Sequence, residues 1–321
     1  MHNDAMRAAC VSCRFLLAVI VVLALVGCGR DQPRGGHAAG AGDFAGPVDI
    51  GDGRHLYLEC RGQGSPTILL ESGYHDSSDP WVQSNASAPA VGPAVLAALA
   101  DGHRVCAYDR PGTVRHSEPP SISDRSTPVT MPRTARDVVS DLHKLLGAAH
   151  VAGPYILVGH SLGGVFARLY AQTHPDDVRA ILFVDAFSVD MPALMGSEWP
   201  TYKESLDTPS PQLKDTASFE MIDIEQSVGQ VATAPALPPV PIMVLTKGDP
   251  FVPPSSVPPE KAEFSEKLEQ AWLQGQSELV GLRPQTPQVV AAGSDHYVQI
   301  HQPDLVVAGV ELLLRRIAGN R

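Results

Sequence analysis

The chain of 321 residues is long enough for one large domain or two, and its 44% hydrophobic content favours a single globular α/β unit. Its formal net charge of -11 argues against nucleic acid and against an anionic membrane surface as electrostatic partners. The sequence has no basic patch, no Walker-type phosphate loop and no internal repeat.

The N-terminal residues have the pattern of an export signal. Arg7 and Arg14 precede an unbroken apolar run, 15–26, which is short for a membrane span. Residues 25–28, Leu-Val-Gly-Cys, resemble the bacterial lipobox, in which the cysteine is lipidated and becomes the mature N-terminus. The sequence therefore predicts a lipoprotein signal peptide with Cys28 as the lipidated residue. An ordinary cleaved signal peptide and an uncleaved anchor helix are the alternatives.

This signal sets the predicted domain boundaries. Residues 1–27 form the signal peptide, 28–46 form a flexible tether rich in Gly, Ala and Asp, and 47–321 form the folded domain. We expect the protein to be exported and anchored to the bacterial cell membrane through its N-terminal lipid. We also expect a monomer without a nucleic acid partner.

Two cysteines, Cys60 and Cys106, remain in the folded domain once the signal is removed and Cys28 carries lipid. An even number of cysteines outside the reducing cytosol is consistent with a disulfide. Cys60 ends the strand-like run 55–60, and Cys106 lies inside another, 104–108. A bridge requires these strands to be neighbours, and two separate buried thiols are the alternative.

From the third strand onward, apolar strand-like runs alternate with helical patterns. This alternation predicts a mostly parallel sheet that helices cover on both faces. The predicted strands are 67–70, 104–108, 155–158, 180–184, 242–245 and 288–291, and the predicted helices are 91–99, 133–147, one directly after Ser161, a stretch near 260–276, and 305–317.

The alternation stops between Asp185 and Val240, where Met and aromatic residues lie among Pro, Ser and Asp. An insertion of this length rarely lacks structure of its own. Because it leaves and rejoins the sheet near the strand ends where sites form, we expect 187–240, the cap segment, to cover a pocket. A surface excursion with a small core of its own is the alternative.

A pentapeptide between a predicted strand and a predicted helix contains the candidate nucleophile. Residues 159–163, Gly-His-Ser-Leu-Gly, match G-x-S-x-G, in which a strained strand-to-helix turn exposes the serine hydroxyl. The apolar run 155–158 precedes the motif, and apolar residues recur at helical spacing after it. Ser161 is therefore the candidate nucleophile. A turn whose serine only caps the helix is the alternative.

A serine hydroxyl needs a base within hydrogen-bond reach, and that base needs an acid that orients it. His296 follows the last predicted strand and can accept the Ser161 proton and return it to the leaving group. Asp249 follows the strand before it and can fix the tautomer of the imidazole. The candidate triad is thus Ser161, Asp249 and His296, in the chain order Ser, Asp, His.

That order is typical of the α/β-hydrolase arrangement, and the domain from about residue 48 onward resembles the lipase and esterase-like members of that superfamily. The resemblance implies an eight-stranded, mostly parallel sheet with helices on both faces and a cap between strands 6 and 7. It also implies that the strand of Cys60 lies beside the strand of Cys106, which favours the disulfide. The matching segments are Leu70-Glu71-Ser72-Gly73, Ala107-Tyr108-Asp109-Arg110-Pro111-Gly112, Val158-Gly159-His160-Ser161-Leu162-Gly163-Gly164, Phe183-Val184-Asp185-Ala186 and His296-Tyr297-Val298-Gln299.

The resemblance also bears on the acid and on the oxyanion hole. Asp185 competes with Asp249, and Asp249 is favoured because Gly-Asp after the seventh strand is the commoner pattern. The backbone N–H groups of Leu162 and Tyr74 are carried over as oxyanion donors. Relatives usually have His-Gly in the loop after the third strand, where this chain has Ser-Gly at 72–73.

These residues predict a serine hydrolase that cleaves carboxylic esters, lipid esters among the candidates, through an acyl-enzyme. The serine at 161 excludes the dehalogenase and epoxide-hydrolase branches, which use Asp there. An acyltransferase or an amidase would use the same triad, and a non-catalytic binding lipoprotein on a hydrolase scaffold is the alternative from another class. No cluster of His, Cys and carboxylates has metal-ligand spacing, so we expect no metal and no cofactor. The expected partners are a small-molecule or lipid ester and the membrane.

Overall fold

The computed structural model describes residues 42–83, 92–214, 216–252 and 254–319. The predicted signal peptide, the lipidation site at Cys28 and most of the tether lie outside the described residues. Within the described ranges, no helix is both long and apolar enough to cross a bilayer.

An eight-stranded sheet lies at the centre of the described part of the chain. Its strands are β1 Phe44–Gly51, β2 Arg54–Arg61, β3 Thr67–Glu71, β4 Val105–Tyr108, β5 Tyr155–His160, β6 Val178–Val184, β7 Ile242–Lys247 and β8 Gln288–Ala291. They are arranged in the order β1-β2-β4-β3-β5-β6-β7-β8. β2 runs antiparallel to both β1 and β4, and the remaining pairs are parallel. The predicted fold class, an eight-stranded and mostly parallel sheet, is confirmed.

Helices cover both faces of this sheet. They are α1 Asp79–Val82, α2 Val95–Ala100, α3 Ala135–Ala148, α4 Gly163–Thr173, α5 Met191–Met195, α6 Trp199–Asp207, α7 Ile224–Thr233, α8 Ala262–Gly281, α9 Val298–His301 and α10 Pro303–Gly319. Helices α2 and α10 pack into one hydrophobic core, and α3, α4, α7 and α8 pack into the other.

The central strands are apolar throughout because both of their faces are buried. In β3, Ile68 and Leu70 belong to the core of α2 and α10, whereas Leu69 belongs to the core of α3 and α4. Successive side chains of a strand point to opposite faces, so one strand supplies both cores. The residues of β5 alternate in the same way.

The first strand begins earlier than the predicted domain boundary. Phe44 stands opposite Cys60 in the antiparallel pairing of β1 with β2. Residues 44–46 therefore belong to the sheet, and the tether boundary of 28–46 is wrong at its end. The Gly- and Ala-rich composition of this stretch carries no strand pattern of its own, and the edge of β2 supplies the pairing.

Cys60 and Cys106 form a disulfide. The two residues are directly opposite each other in the antiparallel pair of β2 and β4. The strands are thus the neighbours that a bridge requires, and both cysteines are buried.

The cap segment, 187–240, stands between β6 and β7 and contains α5, α6 and α7. Its buried residues, among them Met191, Met195 and Ile222, join the same hydrophobic core as α3 and α4. The segment therefore packs onto the sheet domain and shares its core, so it is not an excursion with a separate one.

Candidate active site

Ser161 lies in the sharp turn between β5 and α4. Its φ of 51° is in the left-handed region, which is strained for a residue with a side chain. The Ser161 carbonyl oxygen accepts the backbone N–H groups of Gly164 at 2.9 Å and Phe187 at 2.8 Å, which hold the turn in this conformation. A Cβ on Gly163 would lie 2.6 Å from the Glu71 carbonyl oxygen, so only glycine lets the end of β3 approach the turn.

His296 is bound to Asp185, which directly follows β6. The His296 Nδ1 donates to Asp185 Oδ2 at 2.6 Å. The Asp185 carboxylate is fully buried, and its Oδ1 also accepts the backbone N–H of Lys247 and the indole N–H of Trp272, each at 3.0 Å. With Nδ1 donating to the carboxylate, a neutral His296 carries its free lone pair on Nε2.

The structure places Asp185, and not Asp249, as the acid beside His296. Asp249 is exposed, and its backbone N–H donates to the Ser294 carbonyl oxygen at 2.9 Å, while its carboxylate has no hydrogen-bond partner among the described residues. The loop after β7 instead presents the ring of Phe251, whose centroid lies 5.3 Å from that of His296. The assignment of Asp249 is therefore wrong on geometry, because the chain turns after β7 so that an aromatic ring and not the carboxylate reaches the histidine.

The predicted oxyanion donors flank Ser161. A Cβ on Gly73 would lie only 3.0 Å from the Cβ of Ser161, so the loop after β3 passes directly beside Ser161. Within the described residues, neither the Leu162 N–H nor the Tyr74 N–H donates to a protein acceptor. Both residues line the same cavity as Ser161. Two residues that line the cavity with Ser161 thus have backbone N–H groups with no protein acceptor among the described residues.

A cavity of about 260 Å³ holds these groups. Ser161 and His296 line it together, and no Asp, Glu, Lys or Arg is among its described lining residues. Four lining residues, Phe187, Tyr202, Leu206 and Ile224, come from the cap segment, and the others are Tyr74, Leu162, Phe251 and Leu268. In the described part of the chain, no three His, Cys, Asp or Glu side chains are grouped so that they could ligate a metal ion.

Residues 66–306 of the chain match the family described as the alpha/beta hydrolase fold. This stretch covers most of the sequence and six of the eight strands of the sheet, β3 to β8. The chain belongs to the α/β-hydrolase fold family.

Similarity to individual proteins is moderate. An uncharacterized protein of Schizosaccharomyces pombe is 32% identical over 152 residues, which span 42% of this chain and 26% of that protein. The uncharacterized protein YqjL of Bacillus subtilis is 27% identical over 259 residues, 79% of this chain and 86% of its own length. The haloalkane dehalogenase DatA of Agrobacterium tumefaciens has the same fold, with a TM-score of 0.55 and 17% identity over 87% of this chain and 99% of that one.

A second histidine of this α/β-hydrolase, His160, packs against His296 and binds its backbone. His160 is buried against His296, with the two ring centroids 4.6 Å apart. Burial, and then the neighbouring His296, lower the pKa of His160 to about 4, so its ring is neutral at ordinary pH. Its Nε2 lies 2.9 Å from the His296 carbonyl oxygen, an acceptor, so Nε2 carries the proton and donates it. His160 therefore holds the backbone of the loop that carries His296.

The sequence gives no signal for the part that Trp272 has in this site. Trp272 lies on α8, in a stretch that sequence patterns identify only as an inserted helix between Asp249 and His296. Its indole N–H donates to Asp185, and its ring lies edge-on to His296 with a centroid distance of 5.2 Å. An inserted helix thus supplies a donor that keeps the buried carboxylate in place.

Proposed function

We propose that the protein is a serine hydrolase of uncharged carboxylic esters that acts through an acyl-enzyme. The observation that carries this proposal is the 2.6 Å bond from His296 Nδ1 to Asp185, in a histidine that shares a cavity with Ser161. This arrangement supplies the base and the orienting acid that a serine nucleophile needs. Ser161, Leu162 and Tyr74 have the roles described in the two steps below.

In the proposed first step, Ser161 Oγ attacks the ester carbonyl carbon while His296 Nε2 accepts the hydroxyl proton. The Asp185 carboxylate stabilises the imidazolium that forms. The carbonyl oxygen gains negative charge and is bound by the N–H groups of Leu162 and Tyr74. His296 then protonates the departing alcohol, and Ser161 is left esterified.

In the second step, water attacks the acyl-enzyme and His296 accepts a proton from it. The second tetrahedral intermediate breaks down to release the carboxylic acid and restore the Ser161 hydroxyl. The same N–H groups bind the oxyanion in both steps, so one site serves acylation and deacylation.

The cavity supports an apolar acyl group of limited length. Its described lining has no charged side chain other than His296 when protonated, so a charged acyl group would lose hydration without gaining an ion pair. A volume of about 260 Å³ lies just below the usual range of ligand pockets, which is about 300–1,000 Å³. We therefore propose short and medium acyl esters as preferred substrates over long-chain lipid esters.

The test combines covalent labelling with a substrate series. We expect a fluorophosphonate to modify Ser161 in the folded protein, located by mass spectrometry of the labelled peptide. We expect turnover of p-nitrophenyl esters that is highest for short and medium acyl chains and low for palmitate. Ser161→Ala should abolish both the labelling and the turnover. A folded wild-type protein that fails to react with the fluorophosphonate would refute the proposal.

A further inference from the structure

A buried group of charged side chains lies behind the loop that carries Tyr74. Arg110, which follows β4 and is 1% exposed, donates from Nε to Glu220 Oε1 at 2.7 Å and from Nη1 to Glu71 Oε1 at 2.8 Å. Tyr108 donates its hydroxyl to Glu71 Oε2 at 2.7 Å. We call these four residues the Arg110 cluster. Glu71 comes from β3 and Glu220 from the cap segment, so the cluster joins three separate parts of the chain.

The guanidinium of Arg110 also binds the backbone of this loop. Its Nη2 donates to the Gly73 carbonyl oxygen at 2.6 Å, and its Nη1 donates to the Ser72 carbonyl oxygen at 3.0 Å. The Gly73 carbonyl and the Tyr74 N–H belong to one planar trans peptide unit and point in opposite directions. By holding the carbonyl, Arg110 fixes the direction in which the Tyr74 N–H points.

Glu220 fixes the next peptide unit. Its Oε2 accepts the backbone N–H of His75 at 2.8 Å, and this N–H shares a peptide plane with the Tyr74 carbonyl. The same oxygen accepts Arg110 Nη2 at 3.1 Å. Both peptide units that flank the Cα of Tyr74 are therefore held by one ion pair, and rotation of either unit would break a charge-assisted hydrogen bond.

The cap segment holds the side chains of the loop as well. The Tyr74 hydroxyl donates to Asp207 Oδ1 at 2.8 Å and accepts the backbone N–H of Ile222 at 2.9 Å. The His75 ring nitrogen Nε2 lies 2.8 Å from the Leu206 carbonyl oxygen. The loop that supplies the second oxyanion donor is thus bonded to the cap segment at the backbone and at two side chains.

We propose that Arg110 and Glu220 are positioning residues that aim the Tyr74 N–H at the oxyanion, so that the hole is complete only when the cap segment is in place. This inference rests on the proposed serine hydrolase function. Neither residue lines the cavity, and both act through the backbone of residues 73–75. Binding of substrate beneath the cap and stabilisation of the transition state are therefore linked through one buried ion pair.

The charges of the Arg110 cluster make Glu220→Gln an informative variant. The cluster has two carboxylates for one guanidinium, and burial raises the pKa of Glu71 to about 7 despite the opposing charge of Arg110. Replacing Glu220 by Gln leaves Arg110 and Glu71 as a neutral pair, so we expect the fold to survive. In Gln, one of the two acceptor oxygens of Glu220 is replaced by an NH2 donor, which must face either Arg110 Nε–H or the His75 N–H. One of these two bonds is therefore lost in either orientation of the amide, and the loop should lose part of its fixed orientation.

The experiment compares an inhibitor that forms an oxyanion with one that does not. A trifluoromethyl ketone with the acyl group of the best ester adds Ser161 Oγ to its carbonyl carbon, and its oxygen becomes an oxyanion in the hole while His296 takes the proton. The matching secondary alcohol occupies the same cavity without an oxyanion. For Glu220→Gln we expect kcat and ketone affinity to fall by a similar factor, about 10- to 100-fold, with KM and alcohol affinity almost unchanged.

A second variant tests Arg110 directly, and a matched control tests whether any change of a buried arginine has the same effect. Arg110→Lys should lower the same two quantities further, because one ammonium cannot bind both carbonyls and both carboxylates. Arg133→Lys changes another buried arginine, whose guanidinium pairs with Asp141 at 2.6 Å and does not touch the loop, and it should leave ketone affinity unchanged. In proton NMR spectra, the downfield resonance of the proton shared by His296 Nδ1 and Asp185 should persist in Glu220→Gln, because the variant leaves this bond in place.

Two results would overturn the inference. Unchanged kcat and ketone affinity in Glu220→Gln would show that the ion pair does not orient the loop. An equal loss of ketone and alcohol affinity would show a general distortion of the cavity. Both results presuppose a wild-type protein that reacts with the fluorophosphonate, so they are distinct from a failure of the proposed function itself.

Discussion

At the scale of single residues, the direction of one carboxylate decides which acid orients His296, and that acid is Asp185. Ser161 and His296 each belong to a pattern that fixes local geometry, a nucleophile turn and a loop after the last strand. Asp185 and Asp249 follow the adjacent parallel strands β6 and β7, so both come out at the same edge of the sheet. Sequence spacing cannot decide between them, because the direction of each side chain depends on the turn after the strand.

Substitution of the two acids gives a direct comparison. Asp185→Asn should lower kcat by about 10⁴-fold, the order of loss seen when the acid of a Ser-His-Asp triad is neutralised, because the amide no longer favours the productive tautomer or the imidazolium. Asp249→Asn, a matched change of an exposed residue, should leave kcat within about 2-fold of wild type. Steady-state kinetics with one p-nitrophenyl ester measure both. Loss of activity in Asp249→Asn alone would restore the assignment made from the sequence.

Glu71 gives a prediction about pH and stability. Burial raises its pKa from 4.5 to about 7, against the opposing effects of Arg110 and Tyr108. Between these pH values the folded protein keeps a proton that the unfolded chain has released. The stability that this group contributes is therefore fully present below pH 4.5 and is lost as the pH rises through about 7.

We expect the free energy of unfolding of wild type to fall relative to that of Glu71→Gln across this window, by about 1.4 kcal/mol for each unit of pKa difference. Urea denaturation at pH values on both sides of the window measures the change. Glu278→Gln, at an exposed site on α8, is the control and should track wild type. If the free energies of unfolding of wild type and Glu71→Gln differed by the same amount at all pH values, the raised pKa of Glu71 would be contradicted.

At the scale of elements, most strands and helices were predictable because their apolar residues recur with the period of the element. The start of β1 was not predictable, because residues 44–46 have no strand pattern of their own. They form a strand only by pairing with the edge of β2. Helix α8 was predicted as a helix, but the sequence did not show that its Trp272 binds Asp185. The indole of Trp272 and the carboxylate of Asp185 are far apart in sequence, and only the packing of α8 beside β7 brings them together.

The disulfide gives the prediction for this scale. Cys60 and Cys106 join β2 to β4 across a sequence separation of 46 residues. Cross-linking a loop of this length reduces the entropy of the unfolded chain, so the Cys60→Ala, Cys106→Ala double variant should lose about 4 kcal/mol of unfolding free energy. Urea denaturation of the oxidised wild type, the reduced wild type and the variant measures this loss. Equal stability of all three proteins would argue against a bridge in the folded state.

At the scale of the whole molecule, the family fold follows from the order of strands, helices and turns along the chain. The relation between cap and sheet does not follow from that order. It depends on pairs such as His75 with Glu220 and Tyr74 with Asp207, which join segments more than a hundred residues apart. No local pattern encodes such pairs, because each partner alone is an ordinary polar residue.

The bonds between the cap segment and the loop at 72–75 have a consequence for protein engineering. Cap exchange between related enzymes is an obvious route to new substrate preference, since the cap provides four of the ten described residues that line the cavity. In this protein a transplanted cap would arrive without Glu220 and Asp207 and would leave Arg110 facing a foreign backbone. A chimera should therefore be designed with those two carboxylates grafted in advance, and the interchangeable unit is the cap together with the loop that it holds.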